Sequence, residues 1–475
     1  MKLNIIPYPN SVRYLHGRVT SDILRNCRYE ICAGMGESAY TLVIKPDGAV
    51  ARASGEKGLF YAKQTVNQLL LEKEVVCCVI EDKPAFEYRG FMVDCVRHIV
   101  SIEETKRLID AAASVKMNVM HWHLSDDQGF RLQIEKRPEL AEKSAYRKAS
   151  LFGDENDFTP YGTSFTKDEI KEVIDYAAQR FIEVIPEIDM PGHTCAILHA
   201  YPELSCRKVP IDVQMKQGIF PDILCAGNEA VFELVFDILS EICELFPGEY
   251  IHIGGDEAPK GRWKECPECQ RKMKELNLKD EEELQGWFVN RVVDFLKSKG
   301  KKAIVWNESL KSGKIKGVTV QRWMEKSTLS AAYANNGGKV IMSDFYHYYA
   351  DYPYAMTPLK KTYNYSPYIK GLNAQGRANV AGVETPLWTE YVKDFDRLCF
   401  MWFPRFTAVA ETGWTLEKYK DEADFERRFE CYKPILESFS IKPADKSEWN
   451  PWVGKRLKNT VSFFMPVIKS FFKKD

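Results

Sequence analysis

The chain has 475 residues, of which 45% are hydrophobic and 28% charged, with a formal net charge of −1. That length suits a large core plus a smaller module, and the composition is that of an ordinary globular protein. The balanced charge offers nothing to a polyanion, so nucleic acid is not an expected partner. The start, Met1-Lys-Leu-Asn-Ile-Ile-Pro-Tyr-Pro9, lacks the apolar stretch and cleavage site of a signal peptide, and no run reaches the roughly 20 apolar residues of a membrane span. Thirteen cysteines, an odd number scattered through apolar runs, fit reduced thiols and a cytoplasmic location better than a disulfide framework. Cys266-Pro-Glu-Cys269 has metal-knuckle spacing, but no second such pair accompanies it. A helix-start loop is expected there rather than structural zinc.

Residues 1–85 form a first unit. Tyr40 to Ala53 predicts two strands around an Asp47-Gly48 turn. Lys57 to Leu71 then carries apolar residues at helical spacing. These elements predict a small α/β domain, and no catalytic constellation lies in it. Lys83-Pro84 marks its end.

From residue 86 to about 440 the pattern changes. Short β-rich apolar runs occur at Gly90–Cys95, Asn118–Leu124, Ile182–Ile188, Tyr250–Ile253, Lys302–Trp306, Gly317–Trp323, Lys339–Ser343 and Asn379–Glu384. Amphipathic helices are predicted between most of them, at Ile102–Val115, Lys167–Arg180, Ala230–Leu245, Glu282–Lys299 and Ser327–Ala334. A last helix, Phe395–Thr412, follows the eighth run. Eight such units predict an α/β fold of the (β/α)8 TIM-barrel type. A doubly wound open sheet is the alternative, but no Gly-rich dinucleotide fingerprint opens any helix. The loops at 139–166 and 205–225 are long and polar, and the first is expected to overhang the barrel mouth. Residues 441–475 form an extension packed on the barrel. Its last stretch is apolar with a basic end, and Pro466 is expected to weaken a long helix there.

Functional residues of such a barrel belong at the carboxyl ends of its strands, and polar residues gather there. The eight ends carry, in order, Asp94 with Arg97-His98, His121 to Gln128, Glu187-Ile-Asp189 to His193, and Asp256-Glu257. They continue with Trp306-Asn-Glu308, Gln321-Arg-Trp323, Tyr349-Ala-Asp351, and Glu384 with Trp388-Thr-Glu390. The fourth is the most pointed. Tyr250-Ile-His-Ile-Gly-Gly-Asp-Glu-Ala258 runs from an apolar strand into two glycines and two carboxylates. Glycines admit close approach of a ligand. Adjacent carboxylates cannot both ionise freely, so one pKa rises, as acid/base chemistry near neutrality requires. Indoles beside carboxylates and an arginine suit a sugar, whose apolar faces stack while its hydroxyls take hydrogen bonds.

These motifs resemble glycoside hydrolase family 20, the β-N-acetylhexosaminidases. The likeness runs from Ile5-Ile-Pro-Tyr-Pro-Asn-Ser-Val12 to Pro404–Trp414. Its most specific motif is His252-Ile-Gly-Gly-Asp-Glu257, and Arg89–His98, His121–Gln128, Pro186–His193 and Gly382–Glu390 join it. The resemblance implies an exo-acting retaining enzyme that releases terminal GlcNAc or GalNAc from a glycan or glycoside, with no cofactor or metal. Glu257 is then the general acid and base. Asp256 holds the acetamido nitrogen and Tyr349 polarises the acetamido carbonyl, which itself attacks the anomeric carbon. Trp306, Trp323 and Trp388 box the N-acetyl group, while Arg97, Asp351 and Glu390 hold ring hydroxyls. Asp126 with His193, Asp189 and His252 support the acids. A homodimer is admitted as an assembly state.

Several alternatives stay open at this stage. Arg97 could form a structural ion pair with Asp94 or Asp127. Tyr346, Tyr348, Tyr352 and Asp344 compete with Tyr349 and Asp351. His121 and His123 share one strand face, opposite Trp122, where structural roles are expected. A metal-dependent hydrolase on His121, His123, His193 and Asp256 is a second enzyme reading. An inactive carbohydrate-binding barrel is a third. Within the family, lacto-N-biosidase-like or sulfated-GlcNAc-specific activity is a further option.

Overall fold

The computed structural model describes residues 2–472. Its first unit is a five-stranded sheet of β1 (Val12–Thr20), β2 (Arg28–Ile31), β3 (Tyr40–Lys45), β4 (Gly48–Ala53) and β5 (Glu74–Asp82), in the order β1-β5-β3-β4-β2. All neighbours are antiparallel except β2 and β4. The alternation of Tyr40, Leu42 and Ile44 buries one face of β3. Against that face packs α1 (Glu56–Leu69) through Leu59, Ala62, Val66 and Leu69.

A closed barrel of eight parallel strands follows. They are β6 (Tyr88–Asp94), β7 (Val119–His123), β8 (Glu183–Glu187), β9 (Tyr250–His252), β10 (Lys302–Trp306), β11 (Thr319–Arg322), β12 (Lys339–Met342) and β13 (Val380–Leu387). Each pairs with its successor and β13 closes on β6. Each strand falls on its sequence-predicted run, because a short apolar run between helical patterns has no better place than a buried parallel strand.

The intervening helices start where local chemistry dictates. Those preceding β7 and β8, α2 (Ile102–Ser114) and α3 (Lys167–Ala178), open with capping boxes, Ser101 with Glu104 and Thr166 with Glu169. Next come α4 (Glu229–Leu245), α5 (Pro267–Glu275), α6 (Glu281–Ser298) and α7 (Leu329–Asn335). The last predicted helix is two, α8 (Phe395–Trp402) and α9 (Arg405–Trp414). Pro404 between them has no N–H to continue the first ladder. After α10 (Glu422–Ser438) the chain ends in α11 (Val453–Phe472), which runs through Pro466 instead of stopping there. The carbonyl that Pro466 leaves free belongs to Ser462, four residues back on an exposed position where water can serve it. The Phe463 ring rests on Tyr352 and Tyr391, with centroids 5.8 and 4.8 Å away. Residues 473–475 lie outside the described part. No helix among the described residues is long and apolar enough to cross a membrane.

The two units share a buried seam. Trp414 of α9 sits in the core of the first unit and donates to Asp82 Oδ2 at 2.9 Å. Lys116 reaches the same carboxylate at 3.3 Å, fully buried. Inside the barrel, Val119, Ile185, Ile304 and Ile341 form an apolar layer. They line a depression together with Glu183, Tyr250 and Lys339, the residues that open β8, β9 and β12. The polar interior begins one layer higher, toward the mouth.

Candidate active site

Above the apolar layer five charged side chains run through the barrel interior. Glu384, on β13, accepts from the Tyr88 hydroxyl at 2.5 Å, from Gln321 Nε2 at 2.5 Å and from His121 Nδ1 at 3.0 Å. His121 Nε2 donates on to Glu187, at 3.1 Å, and His123 Nδ1 donates to the same oxygen. His123 Nε2 donates to Asp126 at 2.8 Å. Burial opposes the imidazolium form, but the flanking carboxylates outweigh it, raising His121 to about 9 and His123 well above its ordinary value. Trp122, on the other strand face, donates to Cys95 Sγ at 3.0 Å in the outer core, as the strand alternation requires.

Asp126 hands this axis to the mouth. It accepts from Arg97 Nη2 at 2.6 Å and from His193 Nδ1 at 3.1 Å. Burial pushes its pKa up, but Arg97 and His193 overcome that and hold it below the carboxylate range. The other ring nitrogen of His193 lies 3.6 Å from Glu257 Oε2 and 3.8 Å from Asp256 Oδ2. His193 (φ 53°) and Glu257 (φ 41°) both take the left-handed backbone region, which costs a non-glycine residue energy and clusters at functional sites.

Two glycines let the acids stand where they do. Gly254 and Gly255 have φ of 65° and 99°. A Cβ on Gly254 would come within 1.6 Å of Asp189 Oδ1, and one on Gly255 within 2.3 Å of Ser309 Oγ. Asp189 therefore lies under the loop, where its Oδ1 accepts from the Gly255 N–H at 3.1 Å. His252 is fully buried below, stacked at 4.5 Å on His121, and burial lowers its pKa.

The acids open into a cavity of about 330 Å³. Ten of the expected residues line it: Arg97, Asp126, His193, Asp256, Glu257, Trp323, Tyr349, Asp351, Trp388 and Glu390. Trp306 lies one layer beneath, wholly buried in an aromatic cluster with Trp323 and Tyr349, and donates to Glu187 at 2.8 Å. Asp189 and His252 are second in line behind the acids and do not reach the cavity wall.

Direction removes two of the competing tyrosines, Tyr346 and Tyr348, from the cavity wall. Tyr349 faces the cavity, roughly parallel to Trp323 at 6.2 Å, and burial raises its pKa, so its hydroxyl keeps a proton to donate. Tyr348 turns away toward the Tyr365 carbonyl, Tyr346 is exposed, and Asp344 pairs with Arg322 and His347. Tyr352 also lines the cavity. The structural ion pair considered for Arg97 exists, with Asp94 at 3.4 Å and more closely with Asp126. Its guanidinium also stacks over Trp388 at 5.0 Å.

Burial raises Asp256 to about 7, against the pull of His193. Its Oδ1 is buried without a partner, and so are Asp351 Oδ1 and Trp323 Nε1. Sequence reading missed Gln217, Gly218 and Ile219, which close one wall from the 205–225 loop. The 139–166 segment, expected to overhang the mouth, supplies none of the residues lining this cavity; it carries a short helix and a hairpin. It borders a neighbouring depression, through Phe152–Asp157. The four ligands of the metal-hydrolase reading do not converge, since His121 and His123 spend both ring nitrogens within the axis.

Comparison with known proteins gives the same picture. The model of "Glycosyl hydrolase family 20, catalytic domain" matches residues 86–417, and "Glycosyl hydrolase family 20, domain 2" matches 19–83. A beta-hexosaminidase of Porphyromonas gingivalis is 39% identical over 417 residues, covering 83% of this chain. This chain spans only about half, 53%, of that relative's length. A crystal structure of a beta-N-acetylhexosaminidase superposes with a TM-score of 0.88 at 30% identity, covering 95% of this chain and 99% of that one. A mutant Streptomyces plicatus beta-hexosaminidase in complex with GlcNAc product superposes at 0.81 with 30% identity, covering 94% and 97%.

Proposed function

The chain belongs to glycosyl hydrolase family 20, and from that premise we propose that it is an exo-acting retaining β-N-acetylhexosaminidase working through the substrate's own acetamido group. The observation that carries the reading is Asp256 Oδ1, a buried carboxylate oxygen without a partner, at the wall of a cavity lined by Trp323, Trp388 and Tyr349. Such an oxygen costs stability unless a ligand donates to it. An acetamido N–H is that donor, and it becomes cationic as the oxazolinium forms. The interaction therefore strengthens toward the transition state, which is what accelerates a reaction.

The steps follow. Tyr349 donates its hydroxyl proton in a hydrogen bond to the acetamido carbonyl and fixes it under the anomeric carbon. The carbonyl oxygen attacks that carbon while Glu257 gives its proton to the departing glycosidic oxygen. Glu257, now a carboxylate, takes a proton from water as the water opens the oxazolinium. Two inversions give net retention. Asp126 and His193 act through Glu257 and Asp256, orienting them and setting the local charge.

About 330 Å³ sits at the low end of ligand pockets, which span roughly 300–1,000 Å³, and favours a single sugar over a disaccharide unit. A product profile on GlcNAc-, GalNAc-, sulfated-GlcNAc- and lacto-N-biose-terminated glycosides tests the proposal. Release of a free N-acetylhexosamine with retained configuration is expected, with inhibition by a thiazoline mimic of the oxazoline. Inverted product, or sugar binding without turnover, would refute it.

A further inference from the structure

Four cysteines meet on the outer side of the loops that carry the acids. Cys206 and Cys225 belong to the long loop after β8, and Cys266 and Cys269 to the first turn of α5. Cys225 Sγ lies 3.6 Å from both Cys266 Sγ and Cys269 Sγ, and Cys206 Sγ lies 3.8 Å from Cys269 Sγ. All four sulfurs fall within 4.8 Å of one another. Cys225, Cys266 and Cys269 are buried, and Cys206 is half-buried. No pair is joined as a disulfide.

These separations match one coordination geometry. A zinc ion with four sulfurs at about 2.3 Å in a tetrahedron sets them about 3.8 Å apart along each edge. Mere packing of four thiols would need no common centre, and a thiol is a weak donor and acceptor that gains little from another thiol. The backbone is also shaped to bring the two halves together. A Cβ on Gly227 would lie 2.2 Å from the Glu268 carbonyl carbon, so only glycine lets the loop settle on the start of α5. The Gly227 N–H is directed at Cys269 Sγ. Cys269 lies in the first turn of α5, and Cys266 is its N-cap.

We propose that Cys206, Cys225, Cys266 and Cys269 hold a structural Zn²⁺ as four thiolates, the thiol protons leaving to solvent. The expectation of a plain helix-start loop is correct for Cys266, which caps α5 with Pro267 at the first position. It missed the partner pair, because Cys206 and Cys225 are far apart in sequence. An antiparallel bridge between Ser205 and Leu224 sets them side by side, with the Cys225 N–H donating to Leu204 O at 3.0 Å. The ion ties two active-site loops. One supplies the Gln217–Ile219 wall, and the other leads back from Cys266 to Glu257. Hydrogen bonds from Arg262 to Asp222 and from Trp263 Nε1 to Leu224 O join the same loops, at 3.0 and 2.9 Å. Four sulfurs with no open position make a closed site, so the ion takes no part in the chemistry.

The test is elemental analysis of the full chain, purified without chelator or added metal. About one zinc per chain is expected. A mercurial reagent titrating the thiols of the intact protein should release that zinc to a chromogenic chelator, a readout that needs no variant to fold. The C266S/C269S variant should lose the zinc and melt several degrees lower. Metal-free parent protein, iron in place of zinc, a disulfide among the four, or equal zinc in the variant would each overturn the proposal. Metal content is read without any substrate, so the outcome is independent of the glycosidase reading.

Discussion

Two regions of the barrel bury charge, and they treat it in opposite ways. In the axis of Glu384, His121, Glu187, His123 and Asp126, every side-chain nitrogen and oxygen has a partner. At the mouth, Asp256 Oδ1, Asp351 Oδ1 and Trp323 Nε1 are buried and have none. Buried polar groups are normally satisfied, so three orphans lining one cavity mark where something else must supply the bonds. The axis is built to stand still and hold Asp126. The mouth is built incomplete, so that a substrate completes it. Its cost in stability is what makes binding and charge stabilisation there effective.

Activity and stability should therefore separate between the two regions. The largest effect is expected for Glu257→Gln. Losing the proposed general acid should lower kcat/KM on a GlcNAc-β-glycoside with a poor leaving group by about 10²–10⁴-fold, with the melting temperature little changed. Steady-state kinetics beside thermal unfolding would show it, and near-full activity would remove Glu257 from the mechanism. Next comes Glu187→Gln in the axis, which leaves His121 and His123 with one carboxylate each, Glu384 and Asp126. A loss of about 3–5 kcal/mol in unfolding free energy is expected, as when one partner of a buried pair is removed. A denaturant melt as stable as the parent's would show that the axis does not hold the barrel. Third is Asp256→Asn, which should lower kcat by about 10²–10³-fold and weaken thiazoline inhibition. If activity on N-acetyl substrates fell no more than activity on substrates lacking the amide, the assigned role would be wrong.

How much of this could be read beforehand follows the same division. All eight barrel strands stand on their apolar runs, and the strand-end acids converge as the barrel rule demands. Asp256 and Glu257 are legible because a glycine pair beside an acid pair is a local pattern, and its reason, the room taken by Asp189 and Ser309, is only visible in three dimensions. Tyr348 and Tyr349 are not separable in sequence, since neither strand nor helix periodicity governs a loop. The Gln217–Ile219 wall belongs to a long loop whose path depends on distant contacts. Trp306 reads as a wall residue but serves as the floor, because it ends its strand pointing into the barrel and spends its N–H on Glu187.

The smallest expected effect is also the most specific to an incomplete mouth, and it concerns Asp256→Asn without substrate. Asp256 is raised from 3.8 to about 7 chiefly by burial. The folded state therefore keeps a proton that the unfolded chain releases, and stability falls as pH rises through that window. The contribution is fully present below pH 3.8 and lost once pH passes about 7. Asparagine cannot ionise, so the variant escapes the loss. Linkage alone amounts to about 4 kcal/mol over that window, at about 1.4 kcal/mol per pKa step. The buried amide that replaces the acid has no partner either and costs about 1–3 kcal/mol. The variant should thus melt at or below the parent near pH 4, gain on it steadily as pH rises, and lead it at pH 8 by on the order of 1–3 kcal/mol. Saturating thiazoline should reverse the order at pH 8, because the parent carboxylate then has its donor. Parallel pH profiles for the two proteins would mean that Asp256 is already satisfied in the free enzyme, and the contrast between the axis and the mouth would fail.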